Sequence, residues 1–301
     1  MDSRTILSDA KATLRRLYFQ NSFARLILSP PVALRQRLAF KRGLRDSELA
    51  RRIGEKISGD VVLDMPEFMG QFRCSPKSDL FKATVVNGSY ERKFVDLFRR
   101  YLDPERDFID VGANIGFYSV LAAKLLRGGR VLSFEPTDAA YERLTHNIEL
   151  NGVTESIIVF KGVASDKPGE TMVHQIDGME EYSSMGAIVH DAVADKPTRS
   201  TQTMAETLDA LVARHSLRPG LIKIDVEGAE ALVLRGSIQT LTKHRPVVLS
   251  ELSRALLEPM GSSPEEIVAL FKSLNYRVLC ANNPRTAPAL GPYDEILCLP
   301  N

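Results

Sequence analysis

The chain has 301 residues, of which 44% are hydrophobic and 26% charged, and its formal net charge at pH 7 is +1. Three cysteines without a Cys-x-x-Cys pair exclude a disulfide framework. No apolar run reaches the roughly 18 residues of a membrane-spanning helix, and the N-terminus lacks the apolar core of a signal peptide. We therefore expect a cytoplasmic protein.

Residues 1–56 are strongly basic, with 13 Lys and Arg against 5 Asp and Glu, so the rest of the chain has a net charge of −7. Leucines at helical spacing predict helices here, interrupted at Pro30-Pro31. We predict a basic helical N-terminal extension over residues 1–60. It either packs on the main domain, because charged faces usually face water, or attracts anionic lipid or substrate and contacts a membrane peripherally.

Residues 61–301 are predicted to form the main domain. Two short strands, near 61–65 and 71–74, come first and are followed by a helix over about 91–101. The regular alternation of strands and helices begins behind this helix, so the α/β core is expected to cover about 104–301.

The segment Asp107–Tyr118 is the most informative part of the chain. An apolar strand ends in an acid, and the glycine-rich turn Gly112-Ala113-Asn114-Ile115-Gly116 leads directly into a helix. This order is typical of a nucleotide-cofactor cradle, where the backbone approaches the ligand and N–H groups point towards it. Asn114 stands where a dinucleotide-binding loop has its second glycine, which favours a nucleoside ligand without a pyrophosphate.

A second strand completes the predicted cradle. A helix over about 115–126 is expected to stop at Gly128-Gly129, and the strand over 130–135 then ends in Glu135. Glu135 follows Gly116 by 19 residues, close to the spacing at which a carboxylate binds the two ribose hydroxyls of a cofactor.

Helices and strands alternate to the C-terminus, which predicts a doubly wound, mostly parallel sheet. Further helices are expected over 137–150 with Thr137 as cap, over 206–215, and from the capping box at Ser263 onwards. Further strands are expected over 157–163, 221–225, 246–251, 276–280 and 295–299, with weaker polar strands within 170–205 around a loop at 177–197.

Acidic residues gather at the predicted carboxyl ends of the strands, where open sheets of this kind bind their ligands. Clustered carboxylates repel one another, so a wholly structural role for all of them would be costly without a cationic partner. A cationic ligand, a bound metal or Lys223 would relieve the repulsion. The acids are Asp110, Glu135, Asp225, Glu227, Glu230 and Glu251.

At these residues the chain resembles the FkbM-type S-adenosylmethionine-dependent methyltransferases. The most specific stretches are Asp110-Val-Gly-Ala-Asn-Ile-Gly116 and Lys223-Ile-Asp-Val-Glu-Gly228. The resemblance implies a Rossmann-like class I methyltransferase fold and methylation of hydroxyl groups on sugars, glycolipids and polyketides. Supporting stretches are Gly88-Ser-Tyr90-Glu91, Phe134-Glu-Pro136, Val163-Ala-Ser-Asp166, Thr207-Leu-Asp209 and the single acid Glu251.

The cofactor implied by the resemblance, S-adenosylmethionine, suits these residues. Its ribose diol matches Glu135, its amino acid end matches the glycine loop, and its positive sulfonium matches an acid-lined pocket. Asp110 either binds the amino group or holds the loop, and the aromatic residues either line the pocket or belong to the core. The predicted cofactor set is Tyr90, Asp110, Gly112, Ala113, Asn114, Gly116, Phe117, Glu135 and Pro136, with Ala164, Ser165 and Asp166 for the adenine.

Methyl transfer to a hydroxyl needs alignment of the reactants and a base, and a carboxylate among acidic neighbours makes a usable base. Asp225 is the first candidate, because it ends the strand expected beside the first one, and Glu251 and Glu227 follow. Alternatively, these three carboxylates hold Mg²⁺ through oxygen ligands, and the metal lowers the pKa of the hydroxyl. A third interpretation is that Asp225 only orders the cofactor loop.

We therefore predict an S-adenosylmethionine-dependent O-methyltransferase for a hydroxyl of a sugar, glycolipid or related natural product. One alternative is a nicotinamide-dependent oxidoreductase, which uses the same strand, loop and acid. Another is a non-catalytic module that binds the cofactor or a membrane. Zinc-type histidine spacing, a serine-hydrolase elbow and a P-loop are absent from the sequence, and no aromatic and basic face indicates a nucleic-acid partner.

Overall fold

The computed structural model describes residues 48–176, 183–186 and 198–301. Most of the basic extension and most of the predicted loop at 177–197 lie outside these residues. The described part of the extension contains a helix, α1, over 48–56. Across the described ranges, no helix combines the length and the apolar character that crossing a membrane requires.

Strands and helices alternate behind α1. The strands are β1 Val61–Met65, β2 Gly70–Cys74, β3 Asp107–Val111, β4 Val131–Glu135, β5 Ile157–Ala164, β6 Gly169–Gln175, β7 Arg199–Glu206, β8 Pro219–Ile224, β9 Val247–Ser253, β10 Tyr276–Cys280 and β11 Tyr293–Pro300. The helices are α2 Asp79–Asn87, α3 Arg92–Tyr101, α4 Phe117–Leu125, α5 Asp138–Leu150, α6 Leu208–Arg214, α7 Glu230–Arg235, α8 Ile238–His244, α9 Arg254–Leu257 and α10 Pro264–Ser273.

The chain divides into two compact units. The described part of the first unit consists of 48–62 and Cys74–Tyr90, and it contains α1 and α2. The second unit consists of Leu63–Arg73 and Glu91–Asn301. The α/β core and all the predicted site residues except Tyr90 belong to this second unit.

The second unit is built on a sheet whose described strands lie in the order β10-β11-β9-β8-β3-β4-β5-β7-β6. The six strands β9, β8, β3, β4, β5 and β7 are parallel to one another. Only β11 and the edge strand β6 reverse direction against their neighbours within this described sheet. The predicted doubly wound, mostly parallel sheet is therefore confirmed.

The sheet grows outward from β3 in both directions. The chain adds β4 and β5 on one side of β3, and later adds β8 and β9 on the other side. Because crossovers between parallel strands are right-handed, these two halves place their helices on opposite faces of the sheet. The carboxyl ends of β3 and β8 therefore flank the topological switch point, the position where such sheets bind ligands.

The central strands are buried on both faces, which explains their nearly continuous apolar sequences. Every residue of β3, β4 and β8 is buried, and Ile109, Leu132 and Ile222 belong to the main core cluster. At the amino end of β3, away from the switch point, Asp107 accepts hydrogen bonds from the backbone N–H groups of Arg130 (2.6 Å) and Arg218. Asp107 therefore has a structural role.

Four helices were not predicted from the sequence, namely α2, α7, α8 and α9. The last three have six, seven and four residues, so their apolar residues complete too few turns to give a helical period. The N-terminal signal of α8 is also remote in sequence. The carboxylate of Asp209 accepts hydrogen bonds from the backbone N–H groups of Gln239 (3.0 Å) and Thr240 (2.7 Å) at the start of α8.

This contact leads to a stability prediction. Asp209→Ala should lower the free energy of unfolding by about 1–2 kcal/mol, because the first turn of α8 would lose its carboxylate acceptor. Urea denaturation of both proteins measures the difference. Asp209→Asn keeps one acceptor oxygen and should lose less, whereas an alanine variant as stable as the wild type would contradict the capping role.

Candidate functional site

The turn after β3 has a conformation that few residues adopt. Gly112, Asn114 and Gly116 have φ angles of +82°, +49° and +91°, in a region that suits glycine and, less often, asparagine. A Cβ atom on Gly112 would lie 1.9 Å from the backbone oxygen of Asp225. Only glycine fits there, so the turn lies directly against the end of β8.

Glu135 ties this turn to the end of β4. Its Oε2 accepts a hydrogen bond from the backbone N–H of Asn114 at 2.9 Å. Its Oε1 accepts from the backbone N–H and the hydroxyl of Thr137 at 2.9 and 2.7 Å. Thr137 occupies the predicted N-cap position of α5, but its hydroxyl bonds Glu135 and not the backbone of the helix. Ala113 joins the same assembly through its N–H, which donates to the Phe134 carbonyl at 2.9 Å.

Asp110 lies near the end of β3 and is 1% exposed. Its Oδ2 accepts a hydrogen bond from the hydroxyl of Ser119 at 2.6 Å, whereas its Oδ1 is buried without a hydrogen-bond partner. Burial raises the pKa of Asp110 to about 6, although the Lys223 ammonium opposes this shift. Buried carboxylate oxygens rarely lack a donor, so Asp110 would gain from a ligand that provides one.

Lys223 supplies the buried cation that the acid cluster requires. Its side chain is 8% exposed, and its Nζ lies 2.8 Å from Asp225 Oδ2 and 5.2 Å from the centre of the Tyr118 ring. Burial alone would lower the pKa of Lys223, but Asp225, Asp110 and Glu91 outweigh burial and raise that pKa. The ammonium is therefore charged, and it neutralises part of the carboxylate charge.

Tyr118 connects Lys223 to a further acid. The Tyr118 hydroxyl donates to Glu91 Oε2 at 2.8 Å. The preceding residue, Phe117, packs in an aromatic cluster, with its ring stacked on Phe68 at 4.5 Å and edge-on to Phe72 at 4.6 Å. Phe117 thus takes part in core packing at the start of α4, and its predicted contact with a cofactor stays a prediction.

A narrow crevice lies at the switch point beside Lys223. Its wall contains four carboxylates, one ammonium and the ring of Phe94. The lining residues are Glu91, Phe94, Lys223, Ile224, Asp225, Glu251 and Glu295. Two of the three predicted catalytic acids, Asp225 and Glu251, are therefore brought together.

Glu251 and Glu295 occupy directly opposite positions on the antiparallel strands β9 and β11. Burial, reinforced by the charge of Asp225, raises the pKa of Glu251 to about 8, and a hydrogen bond from Tyr293 partly opposes this. Burial also raises the pKa of Glu295. The raised pKa makes Glu251 a stronger base than an exposed glutamate.

The turn after β8 carries the remaining acids of the cluster. Glu227 has a φ of +51°, and burial, with Asp225 and Glu251 nearby, raises its pKa well above the ordinary value. Glu230 is 2% exposed, and its Oε1 accepts a hydrogen bond from the backbone N–H of Gly228 at 3.2 Å. Glu230 therefore stabilises the turn that presents Glu227.

Glu230 predicts how stability depends on pH. Burial raises the pKa of Glu230 from 4.5 to about 7, so between these values the folded protein keeps a proton that the unfolded chain has lost. The contribution of Glu230 to the free energy of unfolding should therefore fall as the pH rises through this window, by about 3 kcal/mol. Chemical denaturation at pH 5 and pH 8 tests this. Glu230→Gln should show a smaller difference between the two pH values, and an unchanged difference would contradict the assignment.

The predicted adenine-binding residues Ala164, Ser165 and Asp166 lie at the end of β5, one strand beyond Glu135. The N–H of Ser165 donates to the Glu206 carbonyl at 2.9 Å, which fixes this turn. Pro136 directly follows Glu135 and is half-buried, and Tyr90 is half-buried in the first unit. Their roles towards a cofactor stay predictions.

A metal site is not supported. Among the residues that the structure describes, no group of three or more His, Cys, Asp and Glu side chains could hold a metal ion. The alternative in which Asp225, Glu227 and Glu251 bind Mg²⁺ therefore finds no support. Lys223 provides a positive charge beside Asp225.

Several crevice residues are not among the predicted site residues. Glu91 belongs only to a stretch that supports the resemblance, and Phe94 and Glu295 are not predicted from the sequence. Tyr293, which forms a hydrogen bond with the crevice residue Glu251, is not predicted either. Tyr293 and Glu295 are two residues apart on one strand and so share a face. This spacing was visible in the sequence, but the pairing of β11 with β9 was not.

The strand order and the loop first define the class of protein. A parallel sheet that reverses its order of growth at a glycine loop, with one antiparallel strand inserted near an edge, has the Rossmann-like class I methyltransferase fold, as predicted. The family model described as Methyltransferase FkbM domain matches residues 110–278, more than half of the chain. The chain therefore belongs to the FkbM methyltransferase domain family, which confirms the resemblance.

Individual relatives are distant. Methyltransferase 1 of Beauveria bassiana is 26% identical over an alignment of 147 positions, and the match covers 44% of this chain and 59% of the relative. Hexuronic acid methyltransferase AglP of Haloferax volcanii is 20% identical over an alignment of 200 positions, and the match covers 64% of this chain and 74% of the relative. The crystal structure of methyltransferase FkbM from Methylobacillus flagellatus KT aligns with a TM-score of 0.42 and 13% identity, over 86% of this chain and 59% of that one. The chain thus spans 59% of the length of the Beauveria protein.

Proposed function

We propose that the protein transfers a methyl group from S-adenosylmethionine to a hydroxyl group of a sugar, glycolipid or related natural product. The observation that carries the proposal is the hydrogen bond from Asn114 to Glu135, which joins the glycine loop to a strand-end carboxylate at the switch point. Membership of a methyltransferase family supports the reaction class. The relative named a hexuronic acid methyltransferase supports a sugar as acceptor.

The residues at the switch point suit this methyl donor. The turn at Gly112 forms a cradle that a Cβ atom would fill, and Asp110 has a buried oxygen without a donor. In the proposal, the glycine loop and Asp110 hold the amino acid end of the donor, Glu135 binds the ribose hydroxyls, and Ser165 with Asp166 binds the adenine edge. The bound donor supplies an electrophilic methyl group on its sulfonium.

Glu251 is favoured over Asp225 as the base, which reverses the order expected from sequence. Asp225 is paired with the buried ammonium of Lys223 at 2.8 Å, and breaking such a pair leaves an uncompensated charge. Glu251 lies in the same crevice with a pKa of about 8, close to the value at which a general base works near neutral pH. We therefore assign proton removal to Glu251 and the positioning of Lys223 to Asp225.

The two alternative functions, an oxidoreductase and a non-catalytic binding module, receive less support. A nicotinamide-dependent oxidoreductase is disfavoured by the family and by Asn114 in place of the second loop glycine. A module that binds the donor without turnover would keep the loop but would not need a base such as Glu251. Peripheral membrane contact through the N-terminal extension stays a prediction, since residues 1–47 lie outside the described structure.

Methyl labelling tests the proposed function. Cell extracts are incubated with the protein and an isotopically labelled methyl donor, and glycans and lipids are then examined by mass spectrometry. We expect label in the methyl ether of a hydroxylated acceptor, with none when the Glu251→Gln variant is used. Label confined to nitrogen or carbon, or tight NAD⁺ binding without donor binding, would contradict the proposal.

A further inference from the structure

A larger cavity lies beside the crevice at Lys223. This second cavity has a volume of about 400 Å³, and Phe94 and Glu295 line both it and the crevice. Volumes of this order accommodate small-molecule ligands. A ligand in the larger cavity would therefore contact Glu295, one of the crevice carboxylates. We refer to this larger cavity as the Phe94 groove.

The Phe94 groove has an apolar wall and polar groups at its margins. One face of α3 forms one side, with Lys93, Leu97 and Arg100 at intervals of three or four residues. The turn behind β10 forms the other side with Asn282. The Phe94 ring is half-buried and packs edge-on against Tyr118 at 5.7 Å. Such a combination of an aromatic surface and a few fixed polar groups is typical of a ligand site.

Carboxylates line the place where the Phe94 groove meets the crevice. Glu295 lines both cavities and lies directly opposite the crevice residue Glu251 on the neighbouring strand, whereas the cations Lys93 and Arg100 lie on the α3 side of the groove. The side-chain N–H of Asn282 donates to Glu295 Oε2 at 2.8 Å and so fixes the position of this carboxylate. Hydroxyl groups of a neutral ligand would donate to these carboxylate oxygens, whereas a ligand carboxylate would add a negative charge beside the acids of the crevice.

We propose that the Phe94 groove binds the methyl acceptor and selects an uncharged, hydroxyl-rich ring over an anionic one such as a uronic acid. The link to methyl transfer rests on the proposed function. The C–H face of the ring packs on Phe94, and its hydroxyl groups donate to Glu295 and Glu251, so one hydroxyl lies at the assigned base. In its preference for an uncharged acceptor, this chain differs from the relative whose name specifies a hexuronic acid.

Ligand-observed saturation-transfer NMR on the full chain tests this selection. The probes are methyl glycosides of glucose, galactose and mannose, each compared with the uronate that differs only by a carboxylate at C6. At least one neutral glycoside should bind about tenfold or more tightly than its uronate. Phe94→Ala should weaken that binding by about tenfold. Met172→Ala, an exposed apolar residue on β6, should leave it unchanged.

A variant that binds the uronate more tightly tests the selection well, because a misfolded protein would lose binding and not gain it. Glu295→Lys replaces one inner carboxylate by an ammonium, so the uronate should bind about tenfold more tightly than it binds the wild type. Titration with S-adenosylhomocysteine in parallel distinguishes the two proposals. If this ligand binds but no neutral glycoside does, or if uronates bind equally well or better, the selection is overturned and the proposed function stands. If glycosides bind through Phe94 without donor binding, the proposed function fails instead.

Discussion

Glu251→Gln is expected to lower the rate of methyl transfer by about 10²- to 10⁴-fold, the usual contribution of a positioned general base. The amide keeps nearly the same shape but cannot accept the hydroxyl proton. Because Glu251 lies in the crevice and is not among the residues assigned to the donor, the affinity for S-adenosylhomocysteine should change by less than about threefold. Radiolabel transfer to the acceptor found by methyl labelling measures the rate.

The pH dependence of the rate provides an independent readout. The base must be deprotonated, and the pKa of Glu251 is about 8, so the wild-type rate should rise with pH and level off above about 8. In Glu251→Gln this rising limb should disappear. A variant with unchanged rate and an unchanged profile would show that Glu251 is not the base.

Two further variants separate a base from a structural acid. Asp225→Asn leaves the Lys223 ammonium buried without its ion-pair partner, so it should lose about 3 kcal/mol of stability. Glu251→Gln should instead match the wild-type stability at pH 5 and exceed it at higher pH, because the raised pKa of Glu251 makes its ionisation unfavourable in the folded protein. Glu149→Gln, a change at an exposed position on α5, serves as the matched control and should leave both the rate and the stability unchanged.

Gly112→Ala is expected to abolish donor binding, with a loss of affinity of at least about 100-fold. The new Cβ would lie 1.9 Å from the backbone oxygen of Asp225, at a φ of +82° that alanine adopts only with strain. The turn must shift, and it would lose the contact from Asn114 to Glu135. We also expect a loss of about 3 kcal/mol in the free energy of unfolding.

Gly128→Ala is the matched control for this experiment. A Cβ atom there meets nothing within 4 Å, and Gly128 has no positive φ. This variant should bind S-adenosylhomocysteine and unfold like the wild type. If Gly112→Ala also bound the ligand with wild-type affinity, the glycine turn would not be the donor site.

The sequence predicted the parts of the site that are local in the chain. The strand from Asp107, the turn at Gly112 and the acid Glu135 follow one another within one supersecondary unit, so their spacing carries the geometry. The helix start at Ser263 was likewise confirmed, since the Ser263 hydroxyl accepts a hydrogen bond from the N–H of Glu266 at 3.2 Å. Such signals depend on neighbours in sequence, and the fold class follows from their repetition.

The parts that were missed depend on long-range pairing. Glu295 reaches the crevice only because β11 inserts antiparallel beside β9, a register that no local pattern encodes. Asp225 was expected to be the base because it ends a strand next to β3. Its ion pair with Lys223 depends on burial of the Lys223 side chain, which the residue types alone do not reveal. The change from Asp225 to Glu251 as the proposed base follows from that ion pair.

Calorimetric titration of the full chain with S-adenosylmethionine, S-adenosylhomocysteine and NAD⁺ tests the central claim most directly, namely that the Gly112 turn and Glu135 bind a sulfonium nucleoside. We predict saturable one-to-one binding of the first two ligands, lost in Gly112→Ala and retained in Gly128→Ala, and no heat from NAD⁺. Binding of NAD⁺ without either adenosyl ligand, or adenosyl binding that Gly112→Ala leaves intact, would contradict this account.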